Sequence, residues 1–223
     1  RYYALDAAGE LLWTYESVRA STIGTAADVN GDGEDEVVAG TEYYSWHLIS
    51  RAGKQLFHYG TRGGPRVNAV ATAAFSGGPQ RDVLFAGADG NVHCISPGGS
   101  LRWLLNTGDE VTGLGTGDIN GDGKEELLAG SMSFNVYALD SEAKVLWRQD
   151  LGREVTGLAV TPGAVLAGTR DGDLYLLKAA DGAPLGSAAL SAGVLRIVSG
   201  KAGPRPVAAV STSAGDLMLM ALQ

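Results

Sequence analysis

Two stretches of the chain are nearly the same: DVNGDGEDE over residues 28–36 and DINGDGKEE over residues 118–126. In each, side-chain oxygens recur at every second position: Asp28, Asn30 and Asp32 in one, Asp118, Asn120 and Asp122 in the other. Alternation of this kind lets the oxygens converge on one point, and Gly31, Gly33, Gly121 and Gly123 permit the tight turn it requires. The backbone carbonyl at the seventh position (Glu34 or Lys124) and the carboxylate at the ninth (Glu36 or Glu126) would complete a shell of hard oxygens. That donor set suits Ca²⁺, which takes six to eight oxygens in flexible geometry, and it predicts two sites. An EF-hand begins in the same way but needs a bidentate Glu at position 12, where Ala39 and Ala129 stand here. Asn-Gly and Asp-Gly pairs also turn ordinary hairpins. A turn, however, needs only two such residues, and crowding further carboxylates costs repulsion unless a cation is present.

Other chemistry finds less support. There is no G-x-S-x-G elbow, and GGPRVN over 63–68 lacks the Lys-Ser/Thr pair of a phosphate loop. His47 and His93 fall at a repeat position filled elsewhere by Tyr3, Tyr137, Tyr175 and Met218, which reads as packing; His58 has no matched partner. Trp46 stands off the shared aromatic position and reads as exposed. Cys94 is the sole cysteine, so no internal disulfide is available. No catalytic residues are assigned, and the reading is of a protein that is not an enzyme. The formal charge of −8, from 17 Lys plus Arg against 25 Asp plus Glu, argues against nucleic acid. No apolar run is long enough for a membrane helix. With no initiator Met and no signal sequence, the chain reads as a processed or excised piece of something longer.

The elements that must hold the two loops come from a repeat. YALDAAGELLW, ending at Trp13, returns as HLISRAGKQLF (to Phe57), HCISPGGSLRW (to Trp103) and YALDSEAKVLW (to Trp147), with a worn copy, YLLKAADGAPLG, near residue 180. Each period holds four short apolar segments separated by hairpin-forming residues, at roughly 40–45 residues per unit, which is the spacing of a β-propeller blade. The strand that would line the channel is built from Gly, Ala, Ser and Thr, and the aromatics lie where blades splay apart. The fold class expected is all-β, a propeller of about five four-stranded repeats in one domain, 1–223. Whole blades are placed at 21–60, 67–106, 111–150 and 155–190. The incomplete blade 194–223 is completed by 1–16 in a five-bladed ring; the alternative is an arc of a larger propeller. Residues just before each innermost strand, Arg19, Arg66, Asp109, Glu110, Arg153 and Glu154, would form a charged rim at the channel mouth, either as a ligand or partner site or as solvated surface ion pairs.

The acidic loops resemble those of FG-GAP or VCBS repeat propellers, the group that includes the integrin α-subunit head. There the D-x-[DN]-x-D-G-x-x-[DE] loop joins the first two strands of a blade and binds Ca²⁺. The match covers 28–36 and 118–126; Glu stands at the ninth position where Asp is commoner, and the corresponding segments FSGGPQRDV, VTPGAV and SGKAGPRPV lack the ligands. The LDxxGxxLW half of the repeat resembles PQQ-like propellers, including non-catalytic scaffolds. Together these imply an extracellular or cell-surface module, secreted or periplasmic, stabilised by calcium and used in binding, adhesion or assembly. Its partner would be a protein or glycan, or another copy of itself, with no nucleic acid and no membrane insertion. The alternatives are the propeller portion of a secreted carbohydrate-active enzyme and a subunit that polymerises through unpaired terminal strands.

Overall fold

The computed structural model describes residues 1–43, 45–60, 66–76, 78–161, 163–203 and 205–221. Residues 63–65 of the GGPRVN stretch and the last two residues of the 194–223 segment lie outside the described residues. Among the described residues there are 21 strands in six antiparallel sheets. β1 (Tyr2–Leu5) and β2 (Leu11–Tyr15) form a two-stranded sheet. Four sheets of four strands follow in chain order. The first is β3 (Ser21–Ala27), β4 (Glu36–Thr41), β5 (Ser45–Ile49) and β6 (Gln55–Gly60). The second is β7 (Val67–Ala73), β8 (Asp82–Gly87), β9 (Asn91–Ile95) and β10 (Leu101–Asn106). The third is β11 (Val111–Gly117), β12 (Glu126–Ser131), β13 (Asn135–Leu139) and β14 (Val145–Asp150). The fourth is β15 (Val155–Thr161), β16 (Ala164–Thr169), β17 (Asp173–Lys178) and β18 (Pro184–Ala189). The last sheet has three strands, β19 (Val194–Ala202), β20 (Arg205–Thr212) and β21 (Leu217–Ala221). This is a β-propeller arrangement of successive meander blades.

Innermost strands β3, β7, β11, β15 and β19 lie side by side around a cavity of about 260 Å³ whose wall includes Gly24, Ala69, Gly113 and Gly157. Small residues are required there because neighbouring backbones converge: a Cβ on Gly157 would come within 3.2 Å of the Ile197 nitrogen. A periodic latch joins these strands. Thr22 donates to the Val67 carbonyl at 2.9 Å, Asn68 to that of Val111 at 3.1 Å, Thr112 to that of Val155 and Thr156 to that of Val194. Leu195 takes the corresponding place in β19 and carries no donor.

At larger radius the seams are closed by the repeating aromatic. Trp13, Phe57, Trp103 and Trp147 pair across their sheets with Ala4, Leu48, Cys94 and Ala138, and so occupy one register position. The indoles donate to carbonyls of the next sheet: Trp13 to Arg51 at 2.7 Å, Trp103 to Ser141 at 2.9 Å, Trp147 to Ala179 at 2.9 Å. They press on turns with almost no spare room, since a Cβ at Gly53 would meet Trp13 at 2.7 Å and one at Gly182 would meet Trp147 at 2.6 Å.

Two expectations are corrected. Residues 1–16 do not complete the last sheet: among the described residues β2 pairs only with β1, and β21 only with β20. The cause is the Trp13 latch, reinforced by the Tyr2 hydroxyl against the Ile23 carbonyl at 2.9 Å, which seats β1–β2 as the sheet preceding β3–β6. The apolar outward faces of both end sheets are exposed and, among the described residues, no strand pairing joins them, which fits the arc and not the five-bladed ring. Trp46 is not exposed but 1% accessible, packed against Phe57 and Phe85 at centroid distances of 5.5 and 6.2 Å. It lies two residues before Leu48 on the same strand, hence on the same seam-facing side.

Candidate functional site

Both acidic loops connect the first two strands of a sheet, β3 to β4 and β11 to β12, and both fold in the same way. The Asp28 carboxylate accepts the Gly31 amide at 2.7 Å and the Gly33 amide at 2.8 Å; Asp118 accepts those of Gly121 at 2.7 Å and Gly123 at 3.0 Å. Those glycines hold φ between 81° and 90°, the left-handed turn that the sequence anticipates. Asn30 Oδ1 accepts the Asp32 amide and Asn120 Oδ1 that of Asp122, each at 2.8 Å. Asp32 and Asp122 accept the amides of Glu34 and Lys124, again at 2.8 Å.

Glu36 and Glu126 begin β4 and β12 beneath their loops, only 2% and 3% accessible. Each accepts a backbone amide, from Val29 at 3.0 Å or Ile119 at 2.9 Å, and a side-chain amide, from Asn30 or Asn120, at 3.0 Å. Burial pushes both carboxyls above their ordinary values, partly offset by backbone amides of residues 29–30 and 119–120, and Asp28, Asp32, Asp118 and Asp122 push in the same direction as burial. Among the described residues no cationic side chain pairs with Asp28, Asp32, Glu36, Asp118, Asp122 or Glu126; the ion pairs in the loops are Arg51 with Glu34 at 3.3 Å and Arg81 with Glu125 at 2.7 Å. Likewise, no three His, Cys, Asp or Glu side chains among the described residues are already grouped as a metal site.

The β7–β8 connection provides an internal comparison. Asp82 opens β8 opposite Ala73, the register of Glu36 opposite Ala27 and Glu126 opposite Gly117. It is fully buried, accepts the Ser76 amide at 2.8 Å, and is met by the Arg102 guanidinium at 3.1 Å. Where the Asp and Asn positions are lost, an arginine reaches in from the fourth strand of the same sheet. Neither Asp82 nor Arg102 stood out in the sequence. Their signal was the alignment of Asp82 with the ninth loop position, but the partner lies 20 residues away.

At the channel mouth the structure brings together only part of the expected rim. Arg66 and Glu110 approach to 3.5 Å, Asn68 donates to Glu110 at 2.6 Å, and both line a cavity of about 570 Å³ with Arg170. Glu154 pairs with Arg170 at 2.6 Å, while Arg153 turns to Asp171 at 3.1 Å. Arg19 lies over the Tyr43 ring at 4.6 Å. Asp109 uses one carboxylate oxygen on the Glu110 amide at 2.7 Å. Arg170, in the β16–β17 turn, was missed by the sequence reading.

His47 and His93 are packing residues. His47 stacks on His58 at 4.6 Å, with the Tyr15 hydroxyl 2.9 Å from its Nδ1; His93 stacks on Phe85 at 4.3 Å beside Asp89. Burial holds both imidazoles below their ordinary value. Register places Met218 at their position in the last sheet, opposite Val210 as His47 stands opposite Ala39 and His93 opposite Phe85. The Cys94 thiol is buried and pushed up to about 12.

Comparison with known proteins adds to this geometry. A family model described as outer membrane protein assembly factor BamB matches residues 132–216. The PQQ-like character is therefore supported over that segment. No curated protein matches. Among solved structures, Saccharomyces cerevisiae Sqt1 superposes with a TM-score of 0.81 at 16% identity, covering 99% of this chain and 65% of that one. The computationally designed Ika8 protein gives 0.74 at 17% identity, covering 96% and 63%. BBS1N, solved in complex with ARL6DN and soaked with lead, gives 0.67 at 12% identity, covering 94% and 82%. These likenesses are of fold. The chain spans less than two thirds of the length of the first two. Among the described residues no helix is long and apolar enough to cross a membrane.

Proposed function

We propose that the chain is a non-catalytic propeller module for binding or assembly, stabilised by calcium in its two acidic loops and working outside the cytosol. The observation that carries the calcium reading is the contrast at the ninth loop position. Asp82, buried where the loop has lost its ligands, is neutralised by Arg102; Glu36 and Glu126, buried under complete ligand sets, have no cation among the described residues. Buried carboxylates are retained where a positive charge meets them. The donors in these loops are all oxygen, which is the chemistry of Ca²⁺. Asp28, Asn30, Asp32 and Glu36, with the Glu34 carbonyl, would hold one ion; Asp118, Asn120, Asp122 and Glu126, with the Lys124 carbonyl, the other. When bound, calcium would neutralise each carboxylate cluster and pin its loop to the sheet. Loop 28–36 also leans on the next sheet through Gln80 to the Asn30 carbonyl at 3.2 Å and the Arg81 amide to the Val29 carbonyl at 3.0 Å, so ordering it secures a seam.

Support for a non-catalytic role comes from the rim and the nucleophiles. Arg66, Arg153 and Arg170 each sit against a carboxylate, two histidines are enclosed by aromatics, and the single thiol is buried with a raised pKa. The matching family is named for assembly, and BBS1N is recorded in a complex, which favours work by contact. Extracellular calcium modules bind at about 0.1–1 mM, so such sites would stand empty in a cytosol.

Thermal unfolding tests this reading. With ~2 mM calcium each site contributes on the order of 1 kcal/mol, which raises the midpoint by about 2–4 °C per site in a chain of this size. The shift should reverse with chelator and halve in Asp118→Ala. A midpoint unmoved by calcium would reduce both loops to ordinary turns.

A further inference from the structure

The aromatic that closes each seam is absent from one of them. β17 pairs with β18 through Leu176 and Gly186, the register in which Ala4, Leu48, Cys94 and Ala138 face Trp13, Phe57, Trp103 and Trp147. A side chain on Gly186 would project into open space, with no atom within 4 Å of its Cβ position. Every residue of β18 is exposed, unlike those of the other fourth strands. The result is a cavity of about 420 Å³ between the β15–β18 and β19–β21 sheets, walled by Leu166, Leu174, Leu176, Pro206 and Met220 with Gly186 at its edge. A cavity lined by aliphatic groups is a receptor for flat apolar ligands, and one of roughly 150 Å³ already takes up benzene.

We propose that this seam binds an aromatic side chain of a partner polypeptide, seated where the chain's own fourth-strand aromatic lies in the other seams. The molecule itself specifies the occupant: the same position between the same two strand types is filled by indole three times and by phenyl once. The site rests on the reading of the chain as a binding module and supplies its point of contact. Phe57 shows that the indole N–H is not required, so flat shape and apolar area decide recognition.

Methyl NMR provides the test. The chain has three methionines, Met132, Met218 and Met220, so ¹³C-methyl labelling gives three signals. Met220 lines the cavity; Met132 sits at the distant β12–β13 turn. The probe is N-acetyl-tryptophanamide, with N-acetyl-leucinamide as control. The expected result is a saturable shift of Met220 at about millimolar probe, with Met132 unmoved and the leucine amide at least about tenfold weaker. Gly186→Trp, which fills the seam from within, should move the Met220 signal without any probe and abolish the response to it. Gly186→Leu serves the same purpose if the larger residue prevents folding. An unresponsive Met220, an equal response to the leucine amide, or a response retained in the filled variants would overturn the proposal. Neither loop takes part in this readout, so a thermal midpoint insensitive to calcium would remove the calcium reading and leave the Met220 result standing on its own.

Discussion

Ala143 holds φ at 63° in the β13–β14 turn, where the corresponding turns carry Gly9, Gly53, Gly99 and Gly182, all at positive φ. An L-residue pays roughly 1–2 kcal/mol for that conformation, and glycine returns about half of the gain through its looser unfolded chain. Ala143→Gly should therefore stabilise the protein by about 0.5–1 kcal/mol, seen as a higher urea midpoint with an unchanged slope. His93 provides a second prediction. Burial lowers its pKa below the ordinary 6.5, and Asp89 only partly opposes this. The unfolded chain takes the proton first, so the stabilising share of the neutral imidazole is complete above about pH 6.5 and is lost as pH falls through the lower folded value. His93→Tyr, which installs the residue found at 3, 137 and 175, removes that share. The stability difference between variant and parent should shift toward the variant between about pH 7 and 5. Parallel pH profiles for the two proteins would show that His93 does not titrate in this way. The repeat made this site legible as a packing position before its neighbours were known, because only side chains of similar size and shape recur there.

Among elements, the seams show what a sequence can and cannot disclose. The aromatic period was plain, since Trp13, Phe57, Trp103 and Trp147 recur with flanking Leu and Gly; their common register in the fourth strand follows from it. The inner latch was hidden. Thr22, Asn68, Thr112 and Thr156 stand second in their strands, but side-chain donors are common in small-residue strands, and their acceptors lie about 40 residues on in the next blade. Trp46 is hidden from the repeat because it lies off the shared aromatic position; strand parity is what places it beside Leu48. The gap at Gly186 was likewise present in the alignment, as a missing Trp, but only the register turns it into a cavity. Trp147 gives the measurable consequence. It is nearly buried, fills the seam against the Gly182 turn, and bonds Ala179. Trp147→Ala should cost about 3–5 kcal/mol. Trp13→Ala, at a seam whose outer sheet has only two strands, should cost clearly less. Equal costs in urea unfolding would mean that the terminal sheet is as firmly held as an internal blade.

Over the whole molecule, the repeat established the blades but not how the ends meet. Twenty-one strands can be counted from sequence as a closed ring with one strand to spare, and what decides otherwise is the side on which Trp13 finds its turn. The arc leaves apolar faces that internal seams cover: Tyr3 and Leu5 are 61% and 58% accessible on one end sheet, Leu217 and Leu219 77% and 69% on the other. β21 also presents an unpaired edge among the described residues. Such faces and edges associate in water unless charge or cover blunts them. The two ends differ, so contact between them is head-to-tail and does not close on itself as a twofold dimer would. The 223-residue chain should therefore show a weight-average mass that climbs steadily with concentration in sedimentation equilibrium, without a plateau at twice the monomer. Leu5→Lys should cap growth at one end and Leu219→Lys at the other. Either substitution alone limits open-ended growth, because each contact needs both faces, and mixing the two variants should restore dimers through their intact ends. A monomer at all concentrations would show that the exposed faces do not recognise one another and that the end sheets are satisfied by water alone.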